Sequence, residues 1–229
     1  MAVITGGSSP YCTGNLTGPI SRFDTARHIS SSAEAQCLWS KSPYVFIGRY
    51  ISNSNTEQPG DLSVDELNYL TGADWRVAVI QHALLSGSTL TASMGTNYGN
   101  VAVNNAQSIS IPRGAYIWLD IEDYSSSSDP VGFCQSWSKA VTGNSAYLPA
   151  LYYGAPGLTS TQVKNLLADG YFKAAWSGCG QTTNIGESIR QGPCATNLSE
   201  TCGSSPYSLP IDEDSLLSNK TVDGFVVSC

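Results

Sequence analysis

The segment Ala115-Tyr-Ile-Trp-Leu-Asp-Ile-Glu-Asp123 has the clearest chemical content in this 229-residue chain. Side chains alternate along a strand, so Tyr116, Trp118, Asp120 and Glu122 share one face, and Ile117, Leu119 and Ile121 share the other. The aliphatic face is the one to bury against helices. The two carboxylates then project together from the opposite side, with Cα atoms about 6.5–7 Å apart. At that spacing they repel each other and titrate unequally. One acid can keep its proton near neutral pH and act as a general acid while its neighbour stays ionised. The same Asp-x-Glu also fits loop hydrogen bonding, or hard-cation ligation by Asp120, Glu122 and Asp24.

Other chemistry-bearing residues fall at apolar segment ends. Arg22-Phe23-Asp24 closes the first such segment, and Pro210-Ile-Asp212 followed by Glu213-Asp214 closes the last. Tyr50, Gln81, His82, Tyr152, Tyr153, Trp176 and Gln191 lie at or near the ends of the others. Aromatic faces beside amides and carboxylates suit sugars, which stack their CH faces and hydrogen-bond through their hydroxyls. Neither histidine, His28 or His82, has a Ser or Cys nucleophile signature nearby, and no Gly-x-Ser-x-Gly elbow is present. Gly-x-Gly-x-x-Gly and P-loop patterns are also missing, so no nucleotide cofactor is expected, and without a CxxC pair no metal site is expected as the leading reading.

Strands at 20–24, 44–51, 76–82, 115–122, 147–153, 172–176, 187–191 and 209–212 must position these residues. Ser63 and Glu66 form a capping box with Gly72 as the stop, Thr159 and Gln162 repeat it with Gly170, and Asp129-Pro130 starts a third helix. Alternating strands and helices predict an α/β fold: a single irregular TIM-type barrel of about five βα units, followed by three strands with little helical cover. The whole of 1–229 reads as one domain, with an N-terminal extension over 1–19 and Cys-rich loops over 177–208. In such a barrel the acids sit at the C-terminal end of the strands, where barrel enzymes keep their active sites. Closure makes the first and last strands neighbours, which places Asp24 beside Asp212.

Composition narrows the partners. Net charge is −7, and the 11 Lys and Arg residues never cluster, so the basic face that nucleic acid needs is missing. No apolar run is long enough to span a membrane. The seven cysteines contain no CxxC pair, and three of them fall within 179–202, which predicts disulfides and a secreted, extracellular protein. Cys134, inside an apolar helical pattern, is the expected free thiol. Sequons occur at Asn15, Asn197 and Asn219, so the chain is a candidate glycoprotein. The start, Met1-Ala2-Val3, reads as a mature chain with an added initiator Met.

An ordered set of short motifs carries a resemblance. Phe23-Asp24, Ile47-Gly-Arg-Tyr-Ile51, Leu119-Asp-Ile-Glu122, Ala150-Leu-Tyr-Tyr-Gly154, Ala174-Ala-Trp176, Ile189-Arg-Gln191 and Pro210-Ile-Asp212 run in sequence over about residues 20–214. On these the chain resembles the glycoside-hydrolase-like domain of the Rv2525c type and, more distantly, the family-25 lysozymes. The resemblance implies an N-acetylmuramidase that cleaves β-1,4 bonds in peptidoglycan, working as a monomer on a polysaccharide. It implies Glu122 as general acid/base and Asp120 as the residue orienting the substrate's 2-acetamido group, which attacks the anomeric carbon in place of an enzyme nucleophile. By the same likeness Asp24 and Asp212 position substrate or tune the central pair, and Tyr50, Tyr152, Trp176 and Gln191 line the sugar subsite. Asp123, the terminal Asp-Glu-Asp and the Cys-rich segment depart from the family pattern and leave the glycan open. Hydrolysis of another amino-sugar polymer such as chitin, or a non-catalytic carbohydrate-binding barrel, remains an alternative.

Overall fold

The protein is described from a computed structural model covering residues 9–17, 21–84, 86–144, 147–154, 157–178, 181, 187–192, 194, 196–202, 205–217 and 220–229. In chain order the strands are β1 (Tyr11–Thr17), β2 (Ser21–Asp24), β3 (Phe46–Ile51), β4 (Arg76–Gln81), β5 (Tyr116–Ile121), β6 (Leu148–Tyr153), β7 (Ala175–Ser177), β8 (Ile189–Gln191), β9 (Thr196–Cys202), β10 (Ser205–Leu216) and β11 (Thr221–Ser228). Five helices, α1 (Ser32–Lys41), α2 (Val64–Gly72), α3 (Ala92–Ser108), α4 (Pro130–Asn144) and α5 (Ser160–Ala168), follow β2 to β6 in turn.

Strands β2 to β8 pair in parallel, and β10 bridges β8 to β2 to close an eight-stranded barrel. The TIM-type architecture expected from the sequence is therefore present, with five βα units and poor helical cover over the last strands. One strand differs. The last barrel strand is antiparallel to both its neighbours. A parallel return needs a crossover of a dozen or more residues. Here β9 comes first, and only two residues separate it from β10, so the two pair as a hairpin and β10 enters the barrel reversed. The segment read as Cys-rich loops thus contains β8, β9 and the start of β10.

Alternation along the barrel strands sorts the core into two clusters. Ile117, Leu119 and Ile121 of β5 pack outward with Ile47, Val79, Leu151 and the helices. Tyr116 and Trp118 point into the lumen with Phe46, Ile80, Tyr152 and Trp176. Outside the barrel, β1 and β11 pair with each other, and Val226 joins them to Val77 at the start of β4. Leu16, Val222 and Phe225 plug the lumen from that end. The N-terminal stretch expected as an extension therefore supplies a strand.

The disulfide Cys12–Cys229 ties this outer pair together. Cys37 and Cys194 are also disulfide-bonded, and Cys134 is free and buried, as expected. Cys179 and the sequon at Asn219 lie outside the described residues, as does the Met1-Ala2-Val3 start.

The helix caps expected from sequence form at all three sites. Ser63 accepts from Glu66 N–H, Thr159 and Gln162 make a complete capping box, and Asp129 Oδ1 accepts from Gly132 N–H at 2.9 Å. Glu66 departs from the box. Its carboxylate turns into the core, where it accepts from Ile29 N–H at 2.8 Å and from Arg49 Nε at 2.7 Å.

Candidate active site

The C-terminal ends of the barrel strands surround a cleft of about 630 Å³. Asp24, Tyr50, Asp120, Glu122 and Asp212 line it, together with His82, Arg27 and Asn197. Register brings the acids together. Asp24 and Asp212 are direct cross-strand partners between β2 and β10, and Asp120 lies inward on β5, with Glu122 just past the strand end. The expected neighbourhood of Asp24 and Asp212 therefore holds, although Asp212 arrives from the middle of a reversed strand.

Under the acids runs a chain of hydrogen bonds. Tyr50 Oη donates to Asp24 Oδ1 at 2.9 Å, and Gln191 Nε2 donates to Asp24 Oδ2 at 3.2 Å. Tyr152 Oη donates to Gln191 Oε1 at 2.9 Å. Tyr152 and Gln191 thus act on the cleft through Asp24. Trp176 is fully buried one layer below, with Nε1 donating to Asp214 Oδ1 at 2.8 Å. The indole stacks edge-on against Tyr152 and Trp118 and forms the floor beneath the site. Asp214 carries no signal in sequence beyond its alternation with Asp212. Gln81 and Tyr153 face the helices instead: Gln81 Oε1 accepts from Trp137 Nε1 at 2.7 Å.

Burial dominates the electrostatics. It pushes the Asp24 carboxyl up to about 8, aided by Asp212 and Glu122 and opposed by the Tyr50 hydrogen bond and Arg49. Asp120 is raised well above the usual range by burial, then by Glu122 and Asp24, against a hydrogen bond from Ala83. Its Oδ1 is buried with no hydrogen-bond partner among the described residues. Glu122, less buried, is raised by desolvation and by Asp123 and Asp212. The cluster therefore retains protons that separate carboxylates would lose. His82 stacks on Tyr50 with ring centroids 4.5 Å apart, and its Nε2 lies 3.4 Å from Asp61 Oδ1. Burial lowers its pKa, so the imidazole facing the cleft is neutral near pH 7.

Two consequences can be measured. Because the folded value of Asp24, about 8, exceeds the unfolded value of about 3.9, its contribution to stability is present at acidic pH and is lost as pH rises toward 8. The loss reaches about 1.4 kcal/mol per pH unit where only the unfolded chain is ionised. Asp24→Asn removes this titration, so its melting temperature relative to wild type should climb between pH 5 and pH 8. A constant difference over that range would show that Asp24 is not the group holding the proton. The second consequence concerns Gly154, at the end of β6. A Cβ there would overlap Glu122 Oε2 and lie 2.9 Å from Glu122 Cδ. Gly154→Ala should therefore push the Glu122 carboxylate aside and, on the function proposed below, lower turnover at least tenfold, roughly the cost of an ångström-scale misplacement. Its melting temperature should stay near that of wild type.

No group of three or more His, Cys, Asp and Glu side chains among the described residues is arranged to hold a metal. No described helix is long and apolar enough to cross a membrane.

Several solved structures share the fold, and three illustrate it. An uncharacterized B. stearothermophilus protein is 18% identical with a TM-score of 0.64, over 87% of this chain and 96% of its own. The Mycobacterium tuberculosis Tat-secreted protein Rv2525c, solved with L-tartrate, is 15% identical with a TM-score of 0.60, over 89% of this chain and 97% of its own. The catalytic domain of endolysin ply40, from bacteriophage P40 of Listeria monocytogenes, is 16% identical with a TM-score of 0.56, over 87% and 94%. Among curated proteins none matches this chain. Residues 36–194, well over half the chain, match the family described as "Rv2525c-like, glycoside hydrolase-like domain". The ordered motifs, the mixed barrel and this match together make the chain a member of the Rv2525c-like family of glycoside-hydrolase-like domains.

Proposed function

We propose that this protein is a secreted N-acetylmuramidase that cleaves β-1,4 bonds in bacterial peptidoglycan. The observation that carries the reading is the proton-retaining Asp120–Glu122 pair at the mouth of a cleft that Asp24 and Asp212 complete. A fold shared with an endolysin catalytic domain supports it. Glu122 protonates the glycosidic oxygen as that bond breaks. The substrate's acetamido oxygen attacks the anomeric carbon, with Asp120 accepting a hydrogen bond from the acetamido N–H. Water then attacks the same carbon, giving a proton to Glu122 and reopening the ring formed by the acetamido group. Asp24, held by Tyr50 and Gln191, positions substrate beside Asp212. The disulfides fit an oxidising extracellular setting.

The test is to incubate wild type and Glu122→Gln with purified peptidoglycan and identify released fragments by mass spectrometry. Fragments reducing at N-acetylmuramic acid, made by wild type alone, are the expected result. One observation favours a second glycan. Arg27 is the only cationic side chain among the described residues lining a cleft that holds four carboxylates, which suits a neutral polymer such as chitin. Cleavage of chitin oligomers without cleavage of peptidoglycan would select that reading. Binding of either polymer with no fragments from wild type would make the barrel a binding module.

A further inference from the structure

A second cavity, of about 480 Å³, lies at the other end of the barrel and is bounded by Asn15, Trp39, Asp74, Trp75 and Arg76, among others. Arg76 opens β4, and His82 of the cleft lies just beyond its far end, so roughly 20 Å of strand separates the two cavities. Trp39 is half-buried and held edge-on against the buried Trp75, with ring centroids 5.2 Å apart and planes at 75°. Its orientation is therefore fixed before anything binds. Asp74 adopts the left-handed conformation, with φ of 67°, in the turn that ends α2. Such backbone is uncommon for a residue other than glycine and costs conformational energy.

The polar groups around the indole point to a ligand. Among the described residues no hydrogen bond or ion pair engages the side chains of Asn15, Asp74 or Arg76, or the indole N–H of Trp39. Donors and acceptors of both charge signs thus line the same cavity as the Trp39 ring. Sugars need this combination, a flat apolar face flanked by hydrogen-bonding groups, and neither charge dominates to demand an ionic ligand. A protein partner is poorly served, because Val64 is the sole large hydrophobic side chain exposed among the described residues.

We infer that this cavity is a second, non-catalytic glycan-binding site, which seats an amino-sugar unit on Trp39 and holds it through Asn15, Asp74 and Arg76. The inference takes its ligand class from the glycan reading above. A chain bound there at a distance from the cleft would keep the enzyme on an insoluble polymer between cleavages.

Retention on polymer tests this without turnover. The protein is made in a bacterial host, so that Asn15 carries no attached sugar. Glu122→Gln, alone or combined with Trp39→Ala or with Arg76→Gln, is titrated against insoluble peptidoglycan and against chitin. Melting temperature serves as the folding control. The inference requires that Trp39→Ala weaken retention about tenfold and that Arg76→Gln weaken it in the same direction. If Trp39→Ala fails to fold, Arg76→Gln alone decides the question. Unchanged retention in the folded variants, or no retention of Glu122→Gln on either polymer, overturns the inference. Fragment release by wild type is a separate readout. A Trp39-dependent retention with no fragments would keep the second site while removing the hydrolase reading.

Discussion

Glu122→Gln is expected to slow glycan cleavage by about 10²–10⁴-fold while glycan binding changes little. Glutamine matches the shape of the side chain but has no proton to transfer. Glu122 is only half-buried and lies just past β5, so the barrel should tolerate the change with its melting temperature nearly intact. The same residue sets the direction of the pH profile. Burial, Asp123 and Asp212 all raise its carboxyl, and the protonated form is the one that acts. Activity should therefore persist above the ordinary glutamate range of about 4.3 and fall as pH rises through the raised value. A variant with undiminished fragment release would remove Glu122 from the mechanism. An alkaline limb at the ordinary glutamate position would show that its surroundings do not tune it.

Arg49→Met should destabilise the fold by about 3–5 kcal/mol, the largest single effect expected away from the chemistry. Arg49 is fully buried on β3, and its guanidinium serves three partners. Nε and Nη2 donate to Glu66 at 2.7 and 3.1 Å, Nη2 donates to Gly60 O at 2.7 Å, and Nη1 donates to Thr25 O. Methionine fills much of the space but leaves two carbonyls without their donor. The buried carboxylate is left with Ile29 N–H and the half-exposed His28, 3.0 Å from Oε2, in place of the guanidinium. Adding Glu66→Gln to Arg49→Met should recover a good part of the loss. The amide oxygen still accepts from Ile29 N–H, and the unpaired charge is gone. Urea midpoints of the single and double variants would measure this. A single variant within 1 kcal/mol of wild type would mean that water reaches Glu66 and the pair is not sealed. The site should respond as well, because Arg49 is one of the groups that holds the Asp24 carboxyl down.

The acidic face of the cleft was legible because alternation is a local rule. Asp120 on β5 and Glu122 just past its end alternate onto one side whatever the rest of the chain does, and the aliphatic Ile117, Leu119 and Ile121 fix which side faces the helices. The direction of β10 was not legible. A strand alternates identically in either direction, and the reversal comes from a two-residue link after β9 in a segment whose composition reads as loop. The outer strands β1 and β11 are each broken by a glycine, and they gain order by pairing with each other and capping the lumen. Helix α3 carries Gly95 and Gly99, poor helix formers, because a Cβ at either would strike the α4 backbone at Phe133 or Trp137. The buried role of Trp176 follows from the same limit. Sequence places an aromatic residue near a strand end but does not say that its N–H finds Asp214 beneath the cleft.

Cys12 and Cys229 are joined across a sequence separation of 217, so nearly all of the backbone forms one covalent ring. A protease that cuts once, in any loop between those cysteines, opens the ring but releases no fragment. The eight barrel strands stay hydrogen-bonded around the cleft, and the nicked protein keeps its mass until the disulfide is reduced. The first cut would then be a scar and not a loss, visible on a gel only after addition of thiol.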